Sequence, residues 1–443
     1  MIAFRSILLS SLLAGSLFLP ASAAGLAAPH QLGLPGHPAF QHTDRHQLPV
    51  GLDLPLNRAQ AHAAVAYPAR WQQQAELSAH EGAIGDHFGG PVALSGGTAL
   101  VGAWDKNHGT GAAYIFVRTG SGWTEQATLS AAGGSPGDWF GASVALVGDT
   151  ALVGAPLAAR AGAVYVFTRD GSRWTQEARL IARDGAAGDW FGRAVALRDD
   201  IALVGAWYKQ HHAGAAYVFV RHGSGWSQQA KLTARDGVAE DYFGTSVALS
   251  GNTALVGAVG KYDGNGAAYA FVRNGACWTQ QALLTAGDGK LNDAFGTAVA
   301  LSGETVLVGA GSANGNRGAA YVFVRAGSHW SQQARLTAND GVAFDWFGWT
   351  VALSDDTALI GAWYRHNRTG AAYIFMRRKG SWAQQAELTA GNAATDDCFG
   401  SSVALSRGTS LVSAGFKNHA TGAAYVFGYI QTGAQFGDQA GFA

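Results

Sequence analysis

Short apolar segments follow one another along most of this chain, and each is bounded by Gly, Asn, Asp or Ser. Such spacing predicts β-strands joined by tight turns. Residues 243–284 show the pattern, because FGTSVAL, TALVGA, AAYAFVR and WTQQALL are separated by turn residues and one longer loop. The pair Asn274-Gly275 accepts positive φ at both positions and predicts a hairpin. We therefore expect four short antiparallel strands in this segment.

The same four-strand pattern recurs seven times, with a period of about 52 residues. It is easiest to follow at a Phe-Gly pair that always comes two residues after an aspartate. The seven phenylalanines are Phe88, Phe140, Phe191, Phe243, Phe295, Phe347 and Phe399. A fixed repeat of this length is typical of solenoids, arrays and propellers.

The distribution of apolar residues within each unit favours a propeller. The second and third strands are apolar on both sides, as in AAYIF at 371–375, whereas the fourth alternates, as in WSQQAKL at 226–232. Sheets stacked face to face around an axis satisfy both patterns. We predict an all-β protein, a seven-bladed β-propeller whose blades are four-stranded antiparallel sheets.

The two ends of the repeat region support a closed ring. An isolated outer strand at 71–77 precedes the first unit, and the last unit stops after its third strand at 423–427. Strand 71–77 would therefore complete the last blade and cover two sheet edges that otherwise invite aggregation. A linear stack is the alternative arrangement.

The rest of the chain divides into three segments. Residues 1–23 carry Arg5, an apolar stretch at 7–19 and Ala21-Ser22-Ala23, which together predict a secretory signal peptide. Residues 24–70, rich in Pro and His, are predicted to be a poorly ordered linker. The propeller takes 71–427, and 428–443 is a Gly-rich polar tail. We expect a secreted or periplasmic protein without a transmembrane anchor.

Composition narrows the range of partners. The 30 basic and 30 acidic residues balance, so no net charge draws the chain to nucleic acid or to an anionic membrane. We expect no nucleic-acid partner and a monomeric ring.

The units resemble FG-GAP repeats, the kind found in the propeller of integrin α subunits and in many secreted bacterial proteins. Phe-Gly occurs in all seven units, and Gly154-Ala155-Pro156 gives the second half of the motif in one. The resemblance implies a β-propeller and a role as a protein-interaction or adhesion platform. Integrin propellers also carry calcium loops between the first and second strands, but turns such as Ser95-Gly96-Gly97 are too short to supply six to eight oxygen ligands.

Calcium is thus possible but not implied at the integrin position, and no cofactor is required. A weaker metal hypothesis concerns aspartates spaced five apart before the Phe-Gly pair. The candidate ligands are Asp184 with Asp189, Asp236 with Asp241, Asp288 with Asp293, and Asp340 with Asp345. The alternative is that the aspartate beside Phe-Gly bonds backbone N–H groups in a turn.

Positions that differ between units are the better candidates for function, because positions shared by all seven are explained by packing. The differences concentrate between the second and third strands, where aromatic residues adjoin Lys, Arg and His. The predicted ligand-binding residues are Trp104, Lys106, His108, Trp207, Tyr208, Lys209, Trp363, Tyr364, Arg365, Phe416 and Lys417. Aromatic rings beside polar donors suit a sugar. The alternative is that the tryptophans only pack over the next blade.

These observations predict an exported, non-enzymatic binding or adhesion module that recognises a glycan or an extracellular protein through one aromatic-rich face. An integrin-α-like protein–protein interaction scaffold is the alternative. A propeller hydrolase is less favoured, since near-identical units offer no unique acid, base or nucleophile and no His-Glu-x-x-His element occurs.

Overall fold

The structure, a computed structural model, describes residues 69–223 and 225–431. The predicted signal peptide at 1–23, the linker up to residue 68 and the tail from residue 432 lie outside the described residues. No helix among the described residues is long and apolar enough to cross a membrane.

Seven sheets of four strands each form the described part of the chain, and every pairing within them is antiparallel. The strands are β1 Ala69–Leu77, β2 Phe88–Ser95, β3 Thr98–Ala103, β4 Ala112–Thr119, β5 Gly122–Leu129, β6 Ser143–Val147, β7 Thr150–Ala155, β8 Ala163–Asp170, β9 Arg173–Leu180, β10 Ala194–Arg198, β11 Ile201–Ala206, β12 Ala215–His222, β13 Gly225–Leu232, β14 Phe243–Ser250, β15 Thr253–Ala258, β16 Ala267–Asn274, β17 Cys277–Leu284, β18 Phe295–Ser302, β19 Thr305–Ala310, β20 Ala319–Ala326, β21 His329–Leu336, β22 Thr350–Ser354, β23 Thr357–Ala362, β24 Ala371–Arg378, β25 Ser381–Leu388, β26 Val403–Ser406, β27 Thr409–Ala414 and β28 Ala423–Gln431.

Blades 1 to 6 each use four consecutive strands, beginning with β2-β3-β4-β5, and the seventh has the order β26-β27-β28-β1. The first strand of each blade lies nearest the axis of the ring, where it contacts the first strands of its neighbours. The seven-bladed propeller predicted from the repeat is therefore confirmed.

The N-terminal strand closes the ring, as its sequence predicts. It pairs with β28, so that Trp71 lies opposite Tyr429 and Leu77 opposite Ala424. The pairing extends past the predicted bounds, because β1 starts at Ala69 and β28 continues to Gln431. The rings of Trp71 and Tyr429 meet edge to face at 5.9 Å, which adds an aromatic contact to this closing hairpin.

The core lies between neighbouring blades and is built around the phenylalanine of each Phe-Gly pair. Phe88 is fully buried, and its ring contacts Tyr114 and Phe116 edge to face at 5.4 and 5.9 Å. The second strand of each blade is covered on both faces, as its apolar sequence predicts, and β3 is buried throughout. Burying both faces of a sheet requires a neighbour on each side, and in a closed ring every blade has two such neighbours.

A short turn between the second and third strands, which we call the apical turn, links each blade to the next. The apical turns are Lys106–Gly109, the 3₁₀ turn Ala158–Arg160, Lys209–His212, Lys261–Gly264, Ala313–Asn316, Arg365–Arg368 and Lys417–Ala420. Their central residues are left-handed, with φ of 52° at Asn107 and 59° at His108. The chain therefore reverses here instead of continuing as a helix.

A glycine that follows each apical turn contacts the Phe-Gly of the following blade. Gly111 forms an isolated parallel bridge with Phe140, and the same bridge joins Gly422 to Phe88 across the ring closure. Gly111 has φ of 81°, and a Cβ placed on it would lie 1.9 Å from the carbonyl oxygen of Phe140. Only glycine fits at this position, since it provides both the left-handed backbone and the close approach.

We predict that Gly318→Ala destabilises the protein far more than Gly327→Ala. Both glycines have positive φ, but a Cβ on Gly318 would meet the carbonyl oxygen of Phe347 at 1.9 Å, whereas one on Gly327 meets nothing within 4 Å. The control should lose about 1–2 kcal/mol for its left-handed backbone. Gly318→Ala should lose clearly more, measured as the free energy of unfolding in urea. Equal losses in the two variants would show that the bridge between blades carries no stability.

Candidate functional site at the mouth of the propeller

The apical turns and the residues that precede the Phe-Gly pairs meet at one end of the ring, which we call the mouth. The backbone N–H of Trp139 donates to the Gly109 carbonyl at 2.8 Å, and that of Tyr242 donates to the His212 carbonyl at 2.8 Å. The residue before the phenylalanine has positive φ in every blade, including 59° at Trp139. This repeated geometry fixes the side chains of both loops at one end of the ring.

Aromatic side chains contact one another around much of the mouth. His87 stacks on Trp104 at 4.6 Å, Trp104 meets Trp139 at 5.2 Å, Trp139 meets Trp190 at 5.8 Å, and Trp190 stacks on Tyr208 at 4.9 Å. We call this set the aromatic collar. Its members are His87, Trp104, Trp139, Trp190, Trp207, Tyr208, Tyr242, Trp346, Trp349, Trp363, Tyr364 and Phe416.

Burial divides the collar into structural and accessible rings. The predicted ligand-stacking residues Trp104, Trp207 and Trp363 are only 9%, 3% and 9% exposed. Their faces are covered by other rings of the collar, so they pack as scaffold. Trp190 and Trp349, which are half-buried, leave part of their surface open.

The other half-buried rings of the collar are His87, Trp139, Tyr208 and Phe416. Of the predicted ligand-binding residues, Tyr364 and His108 are the exposed ones. Ligand contact at these accessible positions stays a prediction.

The cations of the predicted ligand-binding set point into the protein. Lys209 Nζ lies 2.7 Å from Asp189 Oδ2, and Arg365 Nη1 lies 2.7 Å from Asp345 Oδ2. The aspartates also accept a backbone N–H from three residues earlier, as Asp189 does from Ala186 at 2.6 Å. Equivalent ion pairs are Lys106 with Asp86, Lys261 with Asp241 and Lys417 with Asp397.

Lys106, Lys209, Arg365 and Lys417 are therefore structural partners of the Phe-Gly aspartates, and a contact of these cations with a ligand stays a prediction. The sequence showed these cations beside aromatic rings but not the direction of their head groups. A buried carboxylate needs a compensating charge, and the cation at the start of the apical turn provides it.

The same geometry places a side-chain cation between the carboxylates of three of the four candidate metal pairs. Lys261 Nζ lies 3.1 Å from Asp241 Oδ2 and 3.2 Å from Asp236 Oδ2, so an ammonium group occupies the space between the two carboxylates. Lys209 takes this place between Asp184 and Asp189, and Arg365 takes it between Asp340 and Asp345. Within 69–223 and 225–431, no group of three or more His, Cys, Asp or Glu side chains is arranged to hold a metal ion.

Blade 5 is the exception, because Ala313 replaces the cation. Asp288 pairs instead with Arg335 at 3.1 Å and accepts a hydrogen bond from the Tyr321 hydroxyl at 2.9 Å. Asp293 is 7% exposed and accepts the backbone N–H of Lys290 at 2.8 Å. Burial raises the pKa of Asp293, and the charge of Asp288 raises it further.

Arg193 is a residue of the mouth that the sequence prediction of ligand-binding residues does not include. Arg193 follows Phe191-Gly192 at the mouth end of the innermost strand of blade 3. The other units have Gly90, Ala142, Thr245, Thr297, Trp349 and Ser401 at this position. The sequence does contain a signal for Arg193, because one unit has a charged residue where the other six have neutral ones.

The repeated units match a known family along most of the chain. The FG-GAP repeat profile matches seven segments, residues 71–116, 123–167, 174–219, 226–271, 278–323, 330–375 and 382–427. The chain belongs to the FG-GAP repeat family. This membership confirms the resemblance that the Phe-Gly pairs suggest, and it supports a role for the propeller as a protein-interaction scaffold.

A solved structure has a similar fold. One chain of a structure entitled "Crystal Structure of Mitotic Checkpoint Complex" is 12% identical to this FG-GAP protein, with a TM-score of 0.54. The match covers 87% of the present chain and 99% of the other. At this level of identity the likeness concerns the propeller fold alone.

We predict that Lys261→Met destabilises the protein by about 3–5 kcal/mol, because it leaves the buried Asp241 carboxylate without its cation. Lys261 is 4% exposed and Asp241 2% exposed. Lys290→Met is the matched control, since Lys290 is exposed and forms no ion pair in the described structure. The free energy of unfolding at neutral pH measures the difference.

The same pair predicts a pH dependence. Burial alone would lower the pKa of Lys261, but hydrogen bonds and charge from Asp241 and Asp236 outweigh it and raise this pKa. Its stabilising contribution should therefore be complete below the ordinary lysine pKa of about 10.4 and decline as pH rises through the folded-state pKa. The advantage of the wild type over Lys261→Met should shrink at alkaline pH, and a constant difference would contradict the ion-pair account.

Proposed function

We propose that this FG-GAP propeller is an exported, non-enzymatic interaction module that binds an extracellular or cell-surface protein over its mouth. The observation that carries the proposal is the contrast between the two classes of position. The scaffold repeats in all blades, whereas the mouth differs from blade to blade and presents the half-buried rings of Trp139, Trp190 and Trp349. Partly exposed tryptophans are frequent anchors in protein interfaces.

Export is supported by the N-terminal sequence. Arg5, the apolar stretch at 7–19 and Ala21-Ser22-Ala23 have the order of a secretory signal peptide. A secreted or periplasmic location would bring the propeller to ligands outside the cytoplasm. The proposal requires no cofactor.

Glycan recognition is the second candidate. It is favoured by the open parts of Trp139, Trp190 and Tyr208, because the apolar face of a sugar stacks on such rings. Two findings weigh against it: Trp104, Trp207 and Trp363 are buried in the scaffold, and the cations beside them are engaged by aspartates. A propeller hydrolase is favoured by no observation at the mouth.

The test is binding of the mature chain, from residue 24 onward, to arrays of extracellular proteins and of glycans, with and without calcium. We predict that Trp190→Ala reduces capture of a bound protein at least about tenfold, the effect of losing about 1.4 kcal/mol at an interface. Trp278→Ala is the matched control. Trp278 is also half-buried, but it lies on the outer strand β17 and donates to Gln229 at 3.1 Å.

The control should lose stability to a similar extent and keep binding. Loss of binding in Trp278→Ala with retention in Trp190→Ala would place the ligand on the outer strands and contradict the proposal. Selective capture of a glycan, with no protein captured, would favour the second candidate.

A further inference from the structure

Arg193 lies near the axis of the ring. It immediately precedes β10, the innermost strand of blade 3, and the corresponding residues of the other six blades are neutral. Arg198, at the far end of the same strand, is exposed and pairs with Asp199 at 2.8 Å. The two arginines of this strand thus have opposite environments.

The Arg193 side chain has no polar partner. It is half-buried and forms no hydrogen bond, ion pair or ring contact within the described residues, and only its backbone N–H is bonded, to the Trp190 carbonyl at 3.2 Å. Other shielded cations are compensated, as Lys209 is by Asp189 and Arg221 by Glu177. Burial lowers the pKa of Arg193, and no neighbouring charge opposes that effect.

An uncompensated guanidinium in a shielded place reduces the stability of the folded chain. A second donor on the same blade is also unpaired. The indole Nε1 of Trp207, which is 3% exposed, has no hydrogen-bond partner in the described structure. Ala194 of β10 pairs with Gly205 of β11. Arg193, just before β10, and Trp207, just after β11, therefore lie at the mouth end of these two adjoining strands. The Trp207 nitrogen is buried in the collar, so the Arg193 guanidinium is the unpaired donor that a ligand can reach, and its charge favours a ligand that accepts hydrogen bonds and is negatively charged.

The other polar side chains at the positions equivalent to Arg193 are already engaged within the protein. At the positions equivalent to Arg193, the Thr245 hydroxyl donates to the Tyr242 carbonyl and the Thr297 hydroxyl to the Ala294 carbonyl, both at 2.6 Å. The Ser401 hydroxyl is hydrogen-bonded to that of Ser413 at 3.0 Å. Among these seven equivalent positions of the described structure, Arg193 is the one with an unengaged polar side chain, and beside the half-buried Trp190 it suits a single acidic group on an otherwise apolar segment.

We infer that Arg193 binds a carboxylate of the ligand, supplied by an Asp or Glu side chain of a partner protein; this inference rests on the proposed function and names the chemistry at its site. A guanidinium binds a carboxylate through two parallel hydrogen bonds, which fixes orientation as well as charge. The half-buried Trp190, three residues earlier, would contact apolar residues beside the acidic one.

The test is selection of a displayed random-peptide library on the mature wild-type chain, followed by titration of the selected peptides in solution. We expect the selected peptides to share an Asp or Glu. Replacing it by Asn or Gln should weaken binding to the wild type at least about tenfold. Arg193→Gln should weaken binding of the acidic peptide to the same extent. In that variant the change of Asp to Asn in the peptide should have no further effect on affinity, because in a double-mutant cycle the two groups of one contact are coupled. Arg198→Gln is the matched control and should bind like the wild type.

Stability separates a binding role from a structural one. Because Arg193 has no partner to lose, Arg193→Gln should melt at the same temperature as the wild type or at a higher one. A lower melting temperature would overturn the inference, as would an equal effect of the Asp-to-Asn change on wild type and Arg193→Gln. The proposed function would survive both results.

The remaining outcomes also discriminate. Peptides without an acidic residue that bind the wild type and lose affinity for Trp190→Ala would overturn the carboxylate inference and leave the proposed function standing. Capture of an acidic glycan instead of any peptide, abolished in Arg193→Gln, would overturn the assignment to a protein carboxylate. Selected peptides that bind Trp190→Ala as well as the wild type would contradict the proposed function itself.

Discussion

The structure depends on the contact between the Phe-Gly pair of each blade and the glycine after the apical turn of the blade before it. This contact occurs at all seven junctions, including Gly422 with Phe88 at the ring closure. It requires a glycine without a Cβ, a left-handed residue before the phenylalanine and a turn held by the preceding aspartate. These requirements explain why the same residue types recur in every unit.

Most of the charged and aromatic residues that look functional in the sequence stabilise the fold. In five blades the aspartate before Phe-Gly is buried, accepts a hydrogen bond from a backbone N–H and forms an ion pair with the cation of the apical turn. The collar buries Trp104, Trp207 and Trp363 against neighbouring rings. The half-buried rings of the collar and Arg193 have no such structural partner among the described residues, and they lie at the mouth.

The fold could be predicted from the sequence because period, alternation and strand count are local properties that repeat seven times. Strand 71–77 could even be assigned to the last blade, since the final unit lacked one strand. Of the candidate site, the sequence predicts only that the variable loops gather at one end of the ring, and ligand binding there stays a prediction. Lys209 and a surface lysine look alike in sequence, and only the packed structure shows that its Nζ reaches Asp189. Arg193 is not part of the variable loops, and its difference from the other units is a single residue just before the innermost strand of blade 3, so the loop pattern does not point to it.

The central claim is that Arg193 presents the mouth with a positive charge that no carboxylate of the scaffold neutralises. Quenching of tryptophan fluorescence by iodide and by caesium at low ionic strength tests it directly, because an uncompensated cation raises the local concentration of an anion beside Trp190. Each ion's quenching is divided by its quenching of free N-acetyltryptophanamide, because iodide is intrinsically the more efficient quencher. We predict that the normalised iodide-to-caesium ratio of the wild type is above one, falls in Arg193→Gln and is kept in Arg198→Gln. A ratio that is the same in the wild type and in Arg193→Gln would contradict the claim.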